Sequence, residues 1–260
     1  MIIKYIATAT DSPPPKGDLM ALSRCTNQAT PKLESVLDTL GSDIVSGVIP
    51  ASTTFTLQDL SDKYSISRTV AREAMRALEQ LGLAKSSRRV GITVLPKENW
   101  AVFNDDIISW RLASPEKRNA QLLSLTELRV GIEPMAARLM ACRGTEEQCK
   151  ELRLLGEKIY QLGQRAMGNT DQFLDADIRY HTLLLEGSGN EMFMSLAPTI
   201  AAVLVGRTRT GRMPHTPHPT AMHMHRELAN AISMHDPDRA ELASQAILAE
   251  VREALTANAQ

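Results

Sequence analysis

The element order of the N-terminal part is set by residues 46–95, which read SGVIPASTTFTLQDLSDKYSISRTVAREAMRALEQLGLAKSSRRVGITVL. Thr56 precedes LQDLSDKY, and Asp59 follows Thr56 by three positions. This spacing is typical of a helix N-cap with a capping box, so it predicts a short helix that begins after Thr56. Two short β-like runs, 83–86 and 92–95, flank a polar connection and predict a small hairpin.

A stronger helix is predicted between those two features by RTVAREAMRALEQLG at 68–82. Val70 and Ala74 recur on one face at helical spacing, and Gly82 ends the pattern. Upstream, apolar residues at steps of three and four predict another amphipathic helix over 31–46. The resulting order of helix, helix, turn, helix and hairpin is that of a winged helix-turn-helix.

Charge is segregated along the chain. The whole protein has a formal net charge of -1, which gives no overall attraction to nucleic acid. Between residues 63 and 95, however, seven cations stand against two carboxylates, a local charge of +5. The cations are Lys63, Arg68, Arg72, Arg76, Lys85, Arg88 and Arg89, and the carboxylates are Glu73 and Glu79. This segment is therefore predicted to bind DNA.

The second helix of a helix-turn-helix enters the major groove and reads base edges with its N-terminal residues. The residues so placed are Ser67, Arg68, Thr69 and Arg72, and the hairpin tip adds Arg88, Arg89 and Gly91 as a wing for the minor groove. Arg68 and Arg72 are one helical turn apart, so both can reach guanine or the flanking phosphates. The alternative is a basic helix face that is only solvated; the turn, the wing and the local charge argue against it.

The same stretch resembles the DNA-binding domain of the GntR family over residues 35–95. The matching residues are Ser46, Gly47, Ser67, Arg68, Thr69, Arg72, Glu73, Ala74, Leu78, Gly82, Leu83 and Gly91. Where the family commonly has LPSER, this chain has TFTLQ at 54–58, so Gln58 replaces an Arg that commonly touches DNA. Thr56 and Gln58 are accordingly included among the predicted DNA-binding residues. The usual recognition-helix Pro is Ala71 here, and these departures predict an altered operator or affinity within the same fold.

Downstream of Pro96 the sequence predicts helices and almost no strand. The seven predicted spans are 99–113, 118–142, 145–167, 170–187, 191–210, 220–235 and 237–257, separated by Gly, Pro and Ser signals. Helices of this kind form a bundle whose interior can hold a small ligand. The predicted fold class is mostly α, with a winged helix-turn-helix at 31–96 and an all-helical effector-binding and dimerisation domain at 97–258.

Composition excludes several other classes. Hydrophobic residues make up 43% and charged residues 23% of the 260 residues, the profile of a globular protein. Cys25, Cys142 and Cys149 are spaced for neither a disulfide framework nor a CxxC metal site. Since no convincing signal peptide and no apolar run near the ~20 residues of a membrane span is found, we expect a cytoplasmic protein without a membrane partner. Residues 1–30, which include three consecutive prolines, are expected to form a disordered arm.

The helical part resembles the FCD domain of the FadR subfamily through ELRVGIEPMAARLMA at 127–141, ADIRYHTLLLEGSGN at 176–190 and HRELANAISMHDPDRA at 225–240. The resemblance implies a divalent-metal site for a carboxylate effector, with Asp177, His181 and His225 as ligands. Asp177 and His181 are one helical turn apart and so share a helix face. The family's fourth ligand position is Ile247, which cannot coordinate a metal. A three-ligand site for a metal such as zinc and a metal-free pocket both remain open.

Arg129, in the ELR segment, is implied by the same resemblance to face the effector cavity. A guanidinium can hold a carboxylate through two parallel bonds, but Glu133, four residues later, offers a salt bridge within the bundle instead. The predicted effector-binding residues are therefore Arg129, Asp177, His181 and His225. Through DDIISW, ADIRYH and the missing last His, the chain is similar to regulators of sugar-acid catabolism of the galactonate or gluconate type.

The predicted assembly is a homodimer that places two winged domains on a pseudopalindromic DNA operator. Binding of a small carboxylate would control operator binding, with repression as the expected direction. Two alternatives remain: a metal-responsive regulator without an organic effector, and a metal-dependent hydrolase built on Asp177, His181 and His225. The hydrolase is disfavoured because no HExxH motif, Gly-rich phosphate loop or nucleophile elbow is found, so the protein is not expected to be an enzyme.

Overall fold

The computed structural model describes residues 31–88 and 90–257. The predicted arm at 1–30 and Arg89 of the predicted wing lie outside the described residues. Helices predominate in the described part, together with one small sheet of three strands. The predicted fold class, mostly α with an N-terminal winged helix-turn-helix, is confirmed.

The N-terminal domain contains three helices and the small sheet. In chain order, the elements are α1 (Pro31–Ser46), β1 (Thr54–Phe55), α2 (Leu57–Tyr64), α3 (Arg68–Gln80), β2 (Ala84–Ser87) and β3 (Gly91–Val94). The strands are antiparallel in the order β1-β3-β2, with Thr54 opposite Thr93 and Ser86 opposite Ile92. The predicted hairpin is therefore confirmed, and the extended residues before α2 complete it as a third strand.

Local caps fix where α2 and α3 begin. The Thr56 hydroxyl accepts from the Asp59 amide at 3.1 Å, and the Thr56 amide donates to the Asp59 carboxylate at 2.7 Å, which completes the capping box. Ser65 adopts the left-handed region at φ 50° and turns the chain out of α2. The Ser67 hydroxyl then accepts from the Val70 amide, so the recognition helix begins at Arg68.

The C-terminal domain is helical throughout its described length. After a 3₁₀ turn at Lys97–Asn99 come α4 (Asp105–Ala113), α5 (Pro115–Arg143), α6 (Glu146–Gln164), α7 (Asp171–Gly187), α8 (Glu191–Met194), α9 (Ala197–Arg209), α10 (Pro219–Ser233) and α11 (Pro237–Ala257). Two predicted spans need correction. The span 99–113 is helical only from Asp105, because Asn104 caps it. The span 191–210 is two helices, since the second restarts with Pro198 in its first turn, where a missing N–H costs nothing.

Helix α4 belongs to two hydrophobic cores at once. Its Ile107 and Trp110 are buried among the apolar residues of the winged domain, and the Trp110 indole N–H donates to the Asp38 carboxylate of α1 at 3.1 Å. A Cβ at Gly41 of α1 would lie 2.3 Å from the Trp110 ring, so only glycine permits this approach. Ile108 and the neighbouring turn of α4 pack instead with α5 and α9. The helix therefore joins the two domains through packed side chains.

The remaining core lies between α5, α6, α7, α10 and α11. Its buried residues include Met140, Leu152, Ile159, Tyr180 and Leu228. The Tyr180 hydroxyl donates to the carbonyl of His225 at 2.7 Å, which ties α7 to α10 beside the pocket described below. Among the described residues, no helix is both long enough and apolar enough to cross a bilayer.

Candidate DNA-binding surface and effector pocket

The residues predicted to read DNA lie together at the start of α3. Ser67, Arg68, Thr69 and Arg72 are all exposed, whereas Ala71 and Ala74 on the opposite face are fully buried. Ala71, at the position where the family commonly has a proline, is therefore part of the hydrophobic core. The buried face fixes the helix against α1 and α2, and the exposed face presents two guanidinium groups one turn apart.

Thr56, just before α2, and Gln58, within α2, were both predicted to contact DNA, and both form hydrogen bonds within the N-terminal domain. The Thr56 hydroxyl is taken up by the Asp59 capping box. The Gln58 side-chain carbonyl accepts from Arg68 Nε at 3.2 Å and from Arg68 Nη2 at 2.8 Å. Gln58 therefore contacts the proposed recognition helix directly. Gln58 and Arg68 are ten positions apart in two different helices, so the helical spacing of the sequence does not predict this contact.

The predicted wing is the turn between β2 and β3. Arg88 is exposed there, and Gly91 has φ 93°, a region that favours glycine. A Cβ at Gly91 would also lie 2.8 Å from the Phe55 carbonyl, so glycine is required for β1 to approach β3. The wing is attached to α3 by the Glu79 carboxylate, which accepts from the Ser86 amide at 2.6 Å.

The predicted effector residues surround one cavity of about 120 Å³ in the helical domain. Arg129 comes from α5, Asp177 and His181 from α7, His225 from α10 and Ile247 from α11. All five are buried. The mouth of the cavity is formed by the segment 210–218 between α9 and α10, which is held in place by a 2.7 Å bond from the Gly168 amide to the His215 carbonyl.

Arg129 is paired with Glu133, as the alternative interpretation of its position foresaw. Nε donates to Glu133 Oε1 at 2.6 Å and Nη2 donates to Oε2 at 3.3 Å, with both side chains at most 1% exposed. Burial alone would raise the pKa of the Glu133 carboxyl, but Arg129 and His181 outweigh it and hold that pKa at about 2. Only Nη1 of Arg129 is buried without a partner. That single nitrogen is what Arg129 can offer a ligand.

His181 lies between two carboxylates. Its Nδ1 is 2.8 Å from Glu133 Oε2, without the alignment of a full hydrogen bond, and its Nε2 is 3.3 Å from Asp177 Oδ1. Burial opposes a charge on the ring, but Glu133 outweighs it and raises the pKa of His181. Burial likewise opposes the charge of Asp177, yet the proximity of His181 and His225 outweighs it and holds the pKa of Asp177 well below the usual range.

The donor set fits a divalent metal. One ligand atom each from Asp177, His181 and His225 lies within 4.8 Å of the others. His225 Nδ1 lies 2.7 Å from the Ala221 carbonyl, and because a carbonyl can only accept, that nitrogen carries the proton. Its Nε2 is then a lone-pair donor, which is buried without a hydrogen bond and lies 3.6 Å from Asp177 Oδ1. Glu133 behind His181 is the kind of outer partner that orients a metal-binding imidazole.

The cavity also contains charged residues that the sequence interpretation missed. They are Arg207 and, nearer the mouth, Arg212, His218 and Glu250. Burial and the proximity of Arg129 lower the pKa of Arg207 to about 10, and the carboxylates of Asp177 and Glu250 offset this lowering only in part. Among the described residues no carboxylate is within ion-pair distance of its guanidinium, and its side chain makes no hydrogen bond.

A signal for Arg207 was present in the sequence. Ile200, Val203 and Leu204 are buried in α9, and Arg207 follows them at helical spacing as a half-buried residue. A cation at this position of a helix whose inward residues are mostly apolar needs a partner or a ligand. Helical periodicity therefore identifies Arg207 as a candidate pocket residue.

Two domain families match this chain. The gntR family of bacterial regulatory proteins matches residues 32–94, and the FCD domain matches residues 124–250. These ranges contain the candidate effector pocket and the candidate DNA-binding surface: the pocket lies in the FCD range and the surface in the gntR range.

Similar proteins are also regulators. The galactonate operon transcriptional repressor of Escherichia coli K12 is 28% identical over 225 residues, covering 84% of this chain and 94% of the relative. The transcriptional repressor NanR of Escherichia coli K12 is 24% identical over 196 residues, covering 75% of this chain and 72% of the relative. Among solved structures, Lar of Listeria monocytogenes has a TM-score of 0.55 at 15% identity, over 86% of this chain and 96% of Lar, which indicates a shared fold. The families and relatives are transcriptional regulators and not enzymes, and this chain is a DNA-binding transcriptional regulator of the GntR family that carries an FCD domain.

Proposed function

We propose that this regulator is a cytoplasmic homodimeric repressor that releases its operator when a small carboxylate of the sugar-acid class binds the helical domain. The observation that carries the proposal is Arg207, a half-buried guanidinium that lines the cavity and, among the described residues, makes no hydrogen bond or ion pair, so that Asp177 and Glu250 offset its charge only in part. A cation in such a place is costly unless an anion joins it. An effector carboxylate supplies that anion.

The other predicted effector residues complete a binding site around this cation. Arg129 contributes Nη1, while its pairing with Glu133 leaves Arg207 as the main carboxylate partner. Asp177, His181 and His225 provide acceptors and donors for hydroxyl groups, which a sugar acid carries next to its carboxylate. The similarity to the galactonate operon repressor supports the same class of effector.

Cavity size constrains the effector further. A volume of about 120 Å³ is close to the roughly 150 Å³ that holds a benzene-sized ligand. An acid of a few carbons fits this space, whereas a six-carbon sugar acid requires segment 210–218 at the mouth to move outward. Effector binding would then displace the end of α9.

A divalent metal such as zinc would be held by Asp177, His181 and His225, with Ile247 leaving the fourth position to a solvent or effector oxygen. When bound, the metal supplies a Lewis-acidic contact for the effector oxygens. The same cluster favours a second candidate function, a metal-responsive regulator that needs no organic effector. The experiment below separates the two.

Coupling to DNA would run through α4. Arg207 directly follows Gly206 in α9. Gly206 packs closely on α4, since a Cβ added to it would lie only 3.0 Å from the Leu112 side chain. Leu112 and Ile108 pack on α9, while Trp110 of the same helix packs on α1. An effector that moves α9 therefore biases the placement of the winged domain, provided that it binds the two arrangements unequally. In a dimer, this shift changes the spacing of two recognition helices on a pseudopalindrome.

A thermal-shift screen of the purified full-length chain tests this proposal. The panel contains sugar acids, shorter hydroxy acids, dicarboxylates and fatty acids, each with zinc or with a chelator. We expect stabilisation by a hydroxylated monocarboxylate in wild type and its loss in Arg207→Met. Stabilisation by zinc alone, with no acid adding to it in either arm, would instead support the metal-responsive regulator. Arg212→Met, at the mouth, serves as the matched charge control.

A further inference from the structure

The exposed pair between Gln58 and Arg68 on the DNA-reading surface has a specific geometry. Gln58 Oε1 accepts from both Nε and Nη2 of Arg68, at 3.2 Å and 2.8 Å. Gln58 Nε2 donates to Asp62 Oδ1 at 2.8 Å, one helical turn along α2. The order is therefore Asp62, Gln58, Arg68, with the Gln58 amide between an anion and a cation.

These two partners fix the orientation of the Gln58 amide. A carboxylate can only accept and a guanidinium can only donate, so the nitrogen of the amide must face Asp62 and its oxygen must face Arg68. The reversed amide would place like groups together on both sides. Gln58 is thus held by α2 itself, and it holds Arg68 in turn.

The pairing also determines which donors of Arg68 remain. A guanidinium has a side face, formed by Nε and one N–H of Nη2, and an end face, formed by one N–H each of Nη1 and Nη2. Gln58 occupies the side face. The end face is left free, and two parallel donors of this kind match O6 and N7 of guanine in the major groove.

We propose that Gln58 is a positioning residue for sequence readout, which holds Arg68 so that its end face reads one guanine of the operator. Gln58 itself then makes no base contact, although it stands where family members commonly carry a DNA-touching Arg. The inference rests on the proposed placement of Arg68 in the major groove. It differs from that placement in saying that Gln58 acts only through Arg68.

The test is a double-mutant cycle read out base pair by base pair. Full-length wild type, Gln58→Ala, Arg68→Ala and the double variant each select from a DNA duplex library with a randomised core, followed by affinity measurement on the wild-type consensus and its single-base variants. Arg68→Ala is expected to lose roughly 5- to 150-fold discrimination at one G·C pair. Gln58→Ala is expected to lose about fivefold at that same pair and nothing further in the Arg68→Ala background.

Conservative variants sharpen the result. Gln58→Glu loses the bond to Asp62 but keeps an acceptor that pairs with the Arg68 guanidinium, so we expect it to retain discrimination at that pair while its negative charge lowers affinity for all sequences alike. Gln80→Ala, an exposed glutamine at the other end of α3, is the matched control and should leave the selected sequence unchanged.

The outcomes are distinguishable. If Gln58→Ala alters preference at a different base pair, or if its effect adds fully to that of Arg68→Ala, Gln58 reads DNA itself and the inference is wrong. If Arg68→Ala leaves operator binding and selectivity intact, the placement of the recognition helix fails and the inference fails with it. Loss at the same pair, absent in the Arg68→Ala background, supports the inference.

Discussion

The DNA-reading surface and the effector pocket both depend on arginines, but they treat them in opposite ways. Arg68 is exposed, and the neutral amide of Gln58 holds it. Arg129 is 1% exposed, and the charged Glu133 holds it. The exposed surface can keep its cation available for a polyanion, because water solvates the charge. The pocket has to neutralise its cations from within, and among the described residues Arg207 makes no ion pair, although the carboxylates of Asp177 and Glu250 partly offset its charge.

This difference in exposure indicates how each region would select its ligand. On the surface, orientation of a free charge is enough, since the phosphates supply affinity and the base edges supply selection. In the pocket, we propose that the incompletely compensated charge of Arg207 is the recognition element, because an effector carboxylate would complete its pairing. The following predictions test this contrast, from the largest effect to the smallest.

Removing the buried anion should have the largest effect on stability. Glu133→Ala leaves Arg129 as an uncompensated buried charge, which typically costs about 3–5 kcal/mol. Urea denaturation followed by circular dichroism measures this change in the free energy of unfolding. Glu73→Ala, which breaks the exposed pair with Arg76, is the matched control and should change stability by under about 0.5 kcal/mol. Equal effects in the two variants would remove the distinction between the regions.

The same carboxylate should make stability depend on pH in the acid range. The pKa of Glu133 is about 2 in the folded protein against an ordinary 4.5, so its stabilisation is complete above pH 4.5 and is lost as the pH falls toward 2. A difference of this size corresponds to about 3 kcal/mol. We expect wild type to lose more stability than Glu133→Gln between pH 5 and pH 3, as measured by urea denaturation with chelator present. Parallel pH curves would contradict the assigned pairing.

Relieving the unmatched charge should stabilise the ligand-free protein slightly. Arg207→Met keeps most of the side-chain volume and removes a half-buried cation that has no ion-pair partner among the described residues, so we expect the free energy of unfolding to rise by about 1 kcal/mol. Arg129→Met should instead destabilise, because it strands Glu133 beside His181. Thermal melts of both variants without ligand provide the comparison. A destabilised Arg207→Met would show that Arg207 already has a partner in the free protein.

The two regions also differ in how far the sequence revealed them. The position of α3, its exposed cations and the hairpin follow from contiguous signals: the Thr56 cap of the preceding helix, the apolar spacing of residues 68–82 and the glycine at 91. Such local chemistry does not need the tertiary fold. In the same way, the spacing of Asp177 and His181 on α7 placed two pocket residues on one face.

Long-range pairings were beyond local patterns. The bond between Gln58 and Arg68 joins two helices, and the approach of Trp110 to Gly41 depends on how α4 packs on α1. Whether Arg129 faces a ligand or Glu133 was left as two alternatives, because i,i+4 spacing permits both. The division of 191–210 into two helices was missed, since apolar residues continue through the break at Leu196.

The most direct test of the central claim is release of DNA by an acid. A fluorescent duplex carrying the selected operator is bound by the full-length protein, and the acid that most stabilises wild type is titrated in while anisotropy is followed. We expect wild type to release the duplex, and Arg207→Met to bind it with unchanged affinity but to hold it at every acid concentration. Equal release from both proteins would contradict the claim that an anion at Arg207 controls operator binding.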